Sequence, residues 1–230
     1  NYTFTLMSTF MSGRIFGEKF HIFTGSGGNG KSKLIDLLKM SFRDYCATLP
    51  IAILTQNRSK GESASPVMAG TKGKRFLSLQ EPENNSKLNT GLMKELTGGD
   101  IIKARQLFKE PMEFKPQFKM ALICNDMPDP NASDDGTWRR IRVVDFIARF
   151  CDEPKYDAKK GKYEFEIDED LDEKLRDMKE AFIYILIERF KEFKKEHYKI
   201  SEPEEVKSAT TKYKKDMDNF TEFIGNTFFI

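Results

Sequence analysis

An α/β fold carrying a helical extension is what this sequence predicts, and three observations predict it. A glycine-rich stretch, Gly25-Ser26-Gly27-Gly28-Asn29-Gly30-Lys31-Ser32, lies between an apolar run at 20–23 and a helical pattern that begins near Lys31. Strand, glycine loop and helix in that order open an α/β unit. Further short apolar runs at 76–79 and 119–124 are followed by acidic or amide side chains, as strands are when polar groups collect at one rim of a sheet. Apolar residues recurring at helical spacing over 168–198 then mark a long amphipathic helix beyond that pattern.

The chain has 230 residues, 39% apolar and 32% charged, which suits one ordinary globular domain with a small appendage. A formal charge of +2 makes no whole-molecule case for a nucleic-acid surface, so any basic footprint has to be local. Three cysteines without paired spacing and two histidines, His21 and His197, argue against a zinc site or a disulfide framework and for a reducing intracellular setting. The longest apolar run, 181–187, is too short to cross a bilayer, and no membrane association is expected. Beginning at Asn1 without a secretory signal, the chain reads as a piece of a longer protein.

Residues 2–16 hold Phe4, Leu6, Met7, Phe10, Met11 and Ile15 at spacings compatible with a lead-in helix, followed by a turn at Gly17. Residues 18–24 supply the first central strand, and 33–42 form an amphipathic helix with Leu34, Ile35, Leu37, Leu38 and Phe42 inward. Between the two, glycines let backbone amides turn inward toward a polyphosphate, several at positive φ. Lys31 would neutralise β- and γ-phosphate oxygens, Ser32 would put a hydroxyl on magnesium, and the helix N-terminus would add partial positive charge. A flexible glycine-serine linker is the bland alternative, and the flanking strand and helix argue against it.

The run 49–54 is apolar enough for a short second strand, and the polar 56–65 reads as a mobile surface loop. Strand 76–79 leads into Gln80-Glu81-Pro82-Glu83, some fifty residues after the glycine loop. Glu81 is assigned to a metal through its water shell and Glu83 to the base that polarises an attacking water; a solvated turn is the competing reading. A helix over 89–96 ends at Gly98-Gly99, and 101–108 with 112–118 form a hairpin around Lys109-Glu110-Pro111. Its Lys103, Arg105, Lys109, Lys115 and Lys119 suit either a solvated hairpin or a positive finger on a nucleic-acid backbone. Strand 119–124 delivers Asn125, whose amide suits a γ-phosphate or its attacking water unless Asn125-Asp126 simply turns the chain. Gly136-Thr137-Trp138 leads into Arg139 and Arg140 and a strand to Phe146 that holds Arg142, and one of these arginines, just before or within the strand, suits a finger for a nucleotide in the neighbouring subunit. After Arg149, 155–162 is a charged insertion. The 168–198 helix buries Leu171, Leu175, Met178, Phe182, Ile185, Leu186, Phe190 and Phe193, and 204–219 is helical again.

Taken in order, the 25–32 loop, Glu81 with Glu83, Leu96-Thr97-Gly98-Gly99-Asp100 with Arg105, Asn125, and Gly136-Thr137-Trp138-Arg139-Arg140 resemble the superfamily 3 helicases. The likeness is greatest to the primase-helicase type of poxviruses, other large DNA viruses, phages and plasmids. It covers about residues 10–150, with weaker similarity over 201–223. The resemblance implies an AAA+-like P-loop NTPase core over 1–150, with a central, mostly parallel sheet flanked by helices. A helical C-terminal extension over 151–230 would begin a tail domain. It implies a homo-oligomer, a hexameric ring in the full-length protein, that hydrolyses ATP with Mg2+ at subunit boundaries and moves along single-stranded DNA in viral genome replication. Carried over residue by residue, Gly25, Ser26, Gly27, Gly28, Asn29, Gly30, Lys31 and Ser32 hold ATP, while Ser32 and Glu81 hold magnesium. Asn125 becomes the polar sensor and Arg139 or Arg140 the finger. Lys103, Arg105 and Lys109, in a pore-lining region at 97–118, touch DNA. Glu-Pro-Glu departs from the family pattern, and the inserted Pro82 leaves the choice between Glu81 and Glu83 open. An upstream primase region of the same polypeptide and a replication site in the host cytoplasm are further implications. An ATP-switched initiator or packaging module without processive unwinding is the alternative from another class. A GTPase is disfavoured, because no Asn-Lys-x-Asp sequence occurs.

Overall fold

The computed structural model describes residues 2–55, 65–80, 87–130 and 134–228. Helix α1 (Tyr2–Ser8) runs into a 3-10 turn, and strand β1 (Phe20–Thr24) follows. After the glycine loop come α2 (Lys31–Phe42), β2 (Cys46–Leu49) and the one-turn helices α3 (Ala52–Thr55) and α4 (Pro66–Ala69). Strand β3 (Phe76–Leu79), helix α5 (Thr90–Gly98), strands β4 (Ile102–Ala104), β5 (Met112–Phe114) and β6 (Lys119–Ile123), helix α6 (Asp135–Trp138) and strand β7 (Ile141–Asp145) complete the α/β part. A ribbon of β8 (Ala148–Cys151) and β9 (Tyr163–Glu166) precedes two long helices, α7 (Leu171–Lys195) and α8 (Glu204–Phe228).

Five strands form one parallel sheet in the order β2-β3-β6-β1-β7. Every residue of β1 and β3 is buried, as continuous apolar runs require when both faces of a parallel sheet are covered. Alternation along the strands separates two cores. Phe20, Ile22, Leu77, Leu79, Met120 and Leu122 pack with α5 and with Trp138 and Tyr213, while Phe23, Phe76 and Ala121 pack against α1, α2 and α7. Residues beyond 150 therefore contribute to both cores: Leu175, Phe182 and Leu186 to one, Tyr213 to the other. Helix α8 lies along β7, where the Val143 amide donates to Thr210 Oγ1 at 3.0 Å, and the Tyr213 hydroxyl donates to the Pro128 carbonyl.

Because β6 enters between β3 and β1, the carboxyl ends of β1 and β6 are neighbours. Thr24 Oγ1 donates to the Asn125 carbonyl at 3.1 Å across 101 residues of sequence. An open sheet presents its ligand crevice at such a rim.

Several boundaries differ from expectation. The run 49–54 is not a strand: β2 ends at Leu49, and Leu54, fully buried, belongs to α3. Pro50 has no amide for a strand ladder, and a short apolar run looks alike in a strand and in a buried helical turn. Helix α1 stops early, where Ser8 and Thr9 hydroxyls donate back to the Thr5 and Leu6 carbonyls at 2.7 and 2.6 Å. Met178 and Ile185 of α7 are exposed, since the covered stripe is the narrower Leu175, Phe182, Leu186 and Phe193. That helix ends at Lys195, and His197 and Tyr198 take φ of 56° and 60°. Of the loop expected at 56–65, all but Ser65 lies outside the described residues.

Candidate functional site

The glycine loop rises from the end of β1 and closes at Gly30, the left-handed N-cap of α2. At Gly25, φ is 140°, and an added Cβ would come within 2.5 Å of both the Phe146 carbonyl oxygen and Asn29 Nδ2, so only glycine fits. Over Gly27 the space is open, with nothing within 4 Å of an added Cβ. The buried Asn29 braces the turn: its Nδ2 donates to the Phe146 carbonyl at 3.3 Å and its Oδ1 accepts from the Lys31 amide at 3.4 Å. Two main-chain bonds tie the loop to the segment after β7, from Phe146 N to Thr24 O at 2.8 Å and from Phe150 N to Gly28 O at 2.7 Å.

Lys31 and Asn125 meet, as the sequence predicts. Lys31 Nζ donates to the Gly25 carbonyl at 2.6 Å and to Asn125 Oδ1 at 3.1 Å. The loop thus brings together an open glycine arch, a helix N-terminus and an ammonium, groups whose partial and full positive charges favour an anion. Ser32 faces a cleft of about 280 Å³ lined also by Ile35, Asp36, Lys39, Ser78, Gln80 and Ile123. Ser78 and Gln80 come from the carboxyl end of β3, and the chain continues directly into Glu81 and Glu83, which lie outside the described residues. Sequence reading missed Asp36 and Gln80. The signal for Asp36 was its place one helical turn after Ser32, on the same face of α2.

The two arginines lie elsewhere. Phe20 N donates to the Arg140 carbonyl at 2.8 Å, which sets both residues at the amino end of β7, about 16 Å of strand away from the loop. Arg140 is buried, donating to Glu18 Oε2 at 2.7 Å and to the Gly136 carbonyl at 2.9 Å. The Arg139 side chain is 64% exposed, its Nη2 3.5 Å from Glu18. Neither reaches the loop of its own chain.

Strands β4 and β5 pair antiparallel as the expected hairpin, shorter than the sequence suggests. Lys103 is ion-paired with Glu113 at 2.9 Å across it, and this hydrogen bond raises the lysine's pKa. Between the strands Leu107 and Phe108 are exposed, and Lys109 N closes a turn onto the Gln106 carbonyl at 3.2 Å. Among the described residues no group of three or more His, Cys, Asp or Glu is arranged to hold a metal, and no helix is long and apolar enough to cross a membrane. Cys46 and Cys124 are buried and belong to no disulfide, and burial pushes the Cys46 thiol up to about 11.

Compared with known proteins, residues 23–140 match the model of a family described as "Family of unknown function (DUF5906)". Over 230 residues, 98% of this chain, the sequence is 44% identical to a "Putative helicase" of Acanthamoeba polyphaga mimivirus, covering 24% of that protein. It is 32% identical to a "Putative helicase" of Frog virus 3 (isolate Goorha), over 94% of this chain and 23% of the relative. A "Putative primase" of African swine fever virus is 28% identical, over 88% and 22% respectively. The chain thus spans about a quarter of the length of the curated relatives it matches. Among solved structures, the apo NrS-1 C-terminal region shares the fold with a TM-score of 0.61 at 17% identity, over 92% of this chain and 46% of that one.

Proposed function

The chain belongs to the DUF5906 family, and we propose that it is the ATP-hydrolysing motor portion of a viral replicative DNA helicase, an AAA+-like P-loop ATPase of the superfamily 3 type. Relatives named as helicases and primases of large DNA viruses give that reading its biological setting. The observation that carries it is the meeting of Lys31 with Asn125 over the open glycine arch.

In this reading Lys31 exchanges the Gly25 carbonyl and Asn125 Oδ1 for phosphate oxygens, which frees the Asn125 amide to orient an attacking water. Ser32 and Glu81 are the residues that would hold magnesium, and the ion would supply positive charge against the β- and γ-phosphate oxygens. Glu83 takes the proton of the water. Arg139, exposed and remote from its own loop, is the finger for a neighbouring subunit's ATP, and Arg140 with Glu18 positions it. Hydrolysis would shift the β4–β5 hairpin, with Lys103, Arg105 and Lys109 on single-stranded DNA, within a hexameric ring of the longer protein that also carries a primase region.

Phosphate release measured with and without single-stranded DNA, with oligomer mass recorded on the same sample, tests the reading. A motor turns over faster on the strand, and only when assembled. Lys31-dependent ATP binding without strand-stimulated turnover in an assembled sample would favour an ATP-switched initiator or packaging module instead.

A further inference from the structure

Four aromatic side chains gather on the β8–β9 ribbon. Phe150 and Phe165 are register partners with ring centroids 5.8 Å apart, Tyr156 lies 5.7 Å from Phe165, and Tyr163 lies 6.0 Å from Tyr156. Phe150, Phe165 and Tyr156 remain 41%, 43% and 61% exposed, although rings of this size normally supply buried area. Such a patch on a small ribbon marks a surface that gains by being covered.

Its position names the cover. The Phe150 amide donates to the Gly28 carbonyl at 2.7 Å, and the ring's Cε2 lies 3.4 Å from where a Gly30 Cβ would sit, so the patch abuts the glycine loop. Lys31 points toward Asn125 on the β6 side of β1, which fixes the terminal-phosphate end of anything lying along the loop. Strand β7 flanks β1 on the other side and leads straight into β8, so the opposite end of that ligand arrives at the rings.

We propose that Phe150 and Phe165, with Tyr156 at their edge, form the stacking platform for the purine base of the bound nucleoside triphosphate. The proposal rests on the phosphate-loop reading above and adds the other half of the ligand. Every base has a π-face, so stacking holds it with little reading of its edge, and ATP and GTP are accepted with similar affinity.

Calorimetric titration of the chain and of Phe165→Ala with ATP and with inorganic tripolyphosphate tests it, alongside a fluorescent oligothymidylate. The expected result is a loss of roughly 5- to 150-fold in ATP affinity, the size of one base–aromatic stack, with tripolyphosphate binding unchanged. Phe165→Trp should restore ATP binding. Equal losses of ATP and tripolyphosphate would mean that the ribbon only shapes the loop, and would overturn the platform. Unchanged ATP affinity would overturn it too, and a simultaneous loss of oligonucleotide binding would assign the rings to the DNA strand. If the parent chain binds neither ATP nor tripolyphosphate in a Lys31-dependent manner, the phosphate-loop reading itself falls and the platform with it.

Discussion

Lys31 holds two acceptors of its own chain, and its replacement reports directly on the loop. Lys31→Ala should lower steady-state ATP hydrolysis by about 100-fold or more, the size of losing one preorganised charge at a developing anion, as read by phosphate release. A second lysine makes a separate prediction. Lys119 is buried, with its ammonium donating to the Thr9 carbonyl at 2.8 Å and to the Ser12 carbonyl, and with the Phe16 ring 5.5 Å away. Burial, aided by the charge of Arg75, pulls its pKa from 10.5 down to about 7. Between those values the unfolded chain binds more protons than the folded one, so stability climbs with pH across that window and is flat below it. Lys119→Met should remove the climb. Urea titrations at pH 7 and pH 9.5 should show the parent gaining about 1–3 kcal/mol relative to the variant. The Lys31–Asn125 contact was legible because a glycine loop and an amide each follow an apolar run. Gln80 was not, since a cleft between α2 and β3 exists only once the sheet order is known, and for the same reason the spacing of Asp36 from Ser32 gave its face of α2 but not what that face meets.

Among elements, the buried parallel strands β1, β3 and β6 were readable as unbroken apolar runs. Strand β2, Cys-Ala-Thr-Leu, was hidden because its pattern is not apolar throughout, and its neighbour 51–54 carried the stronger signal. The β8–β9 ribbon was missed for a related reason: its rings face outward, and charged residues between them look like a solvated insertion. Helix α8 is tied to the fold by Tyr213, edge-to-face with Trp138 at 5.5 Å and fully buried. Tyr213→Ala should cost about 3–5 kcal/mol in urea denaturation, from the lost ring and the cavity it leaves. Tyr213→Phe keeps the ring and strands only the Pro128 carbonyl, so its cost should be about 1–3 kcal/mol.

At the scale of the whole molecule, the distance between loop and arginines within one chain sets the test of assembly. Lys31→Ala and Arg139→Ala subunits should each be inactive alone. Mixed in equal amounts, they should regain activity, because roughly a quarter of the boundaries in a head-to-tail ring then join an intact loop to an intact arginine. Turnover that stays at zero in mixed rings of confirmed mass would overturn a finger supplied from the next subunit. The covering of β7 by α8 has a practical corollary. Ending the polypeptide near residue 150 would strip that strand of its lid and leave a row of unpaired amides and carbonyls, beside an interior robbed of Leu175, Phe182, Leu186 and Tyr213. A bare strand of this kind recruits other chains edge to edge, so the shortened protein should turn cloudy and elute in the void volume. Recombinant boundaries for this fold therefore belong beyond α8, the helix whose Thr210 and Tyr213 hold it to the sheet.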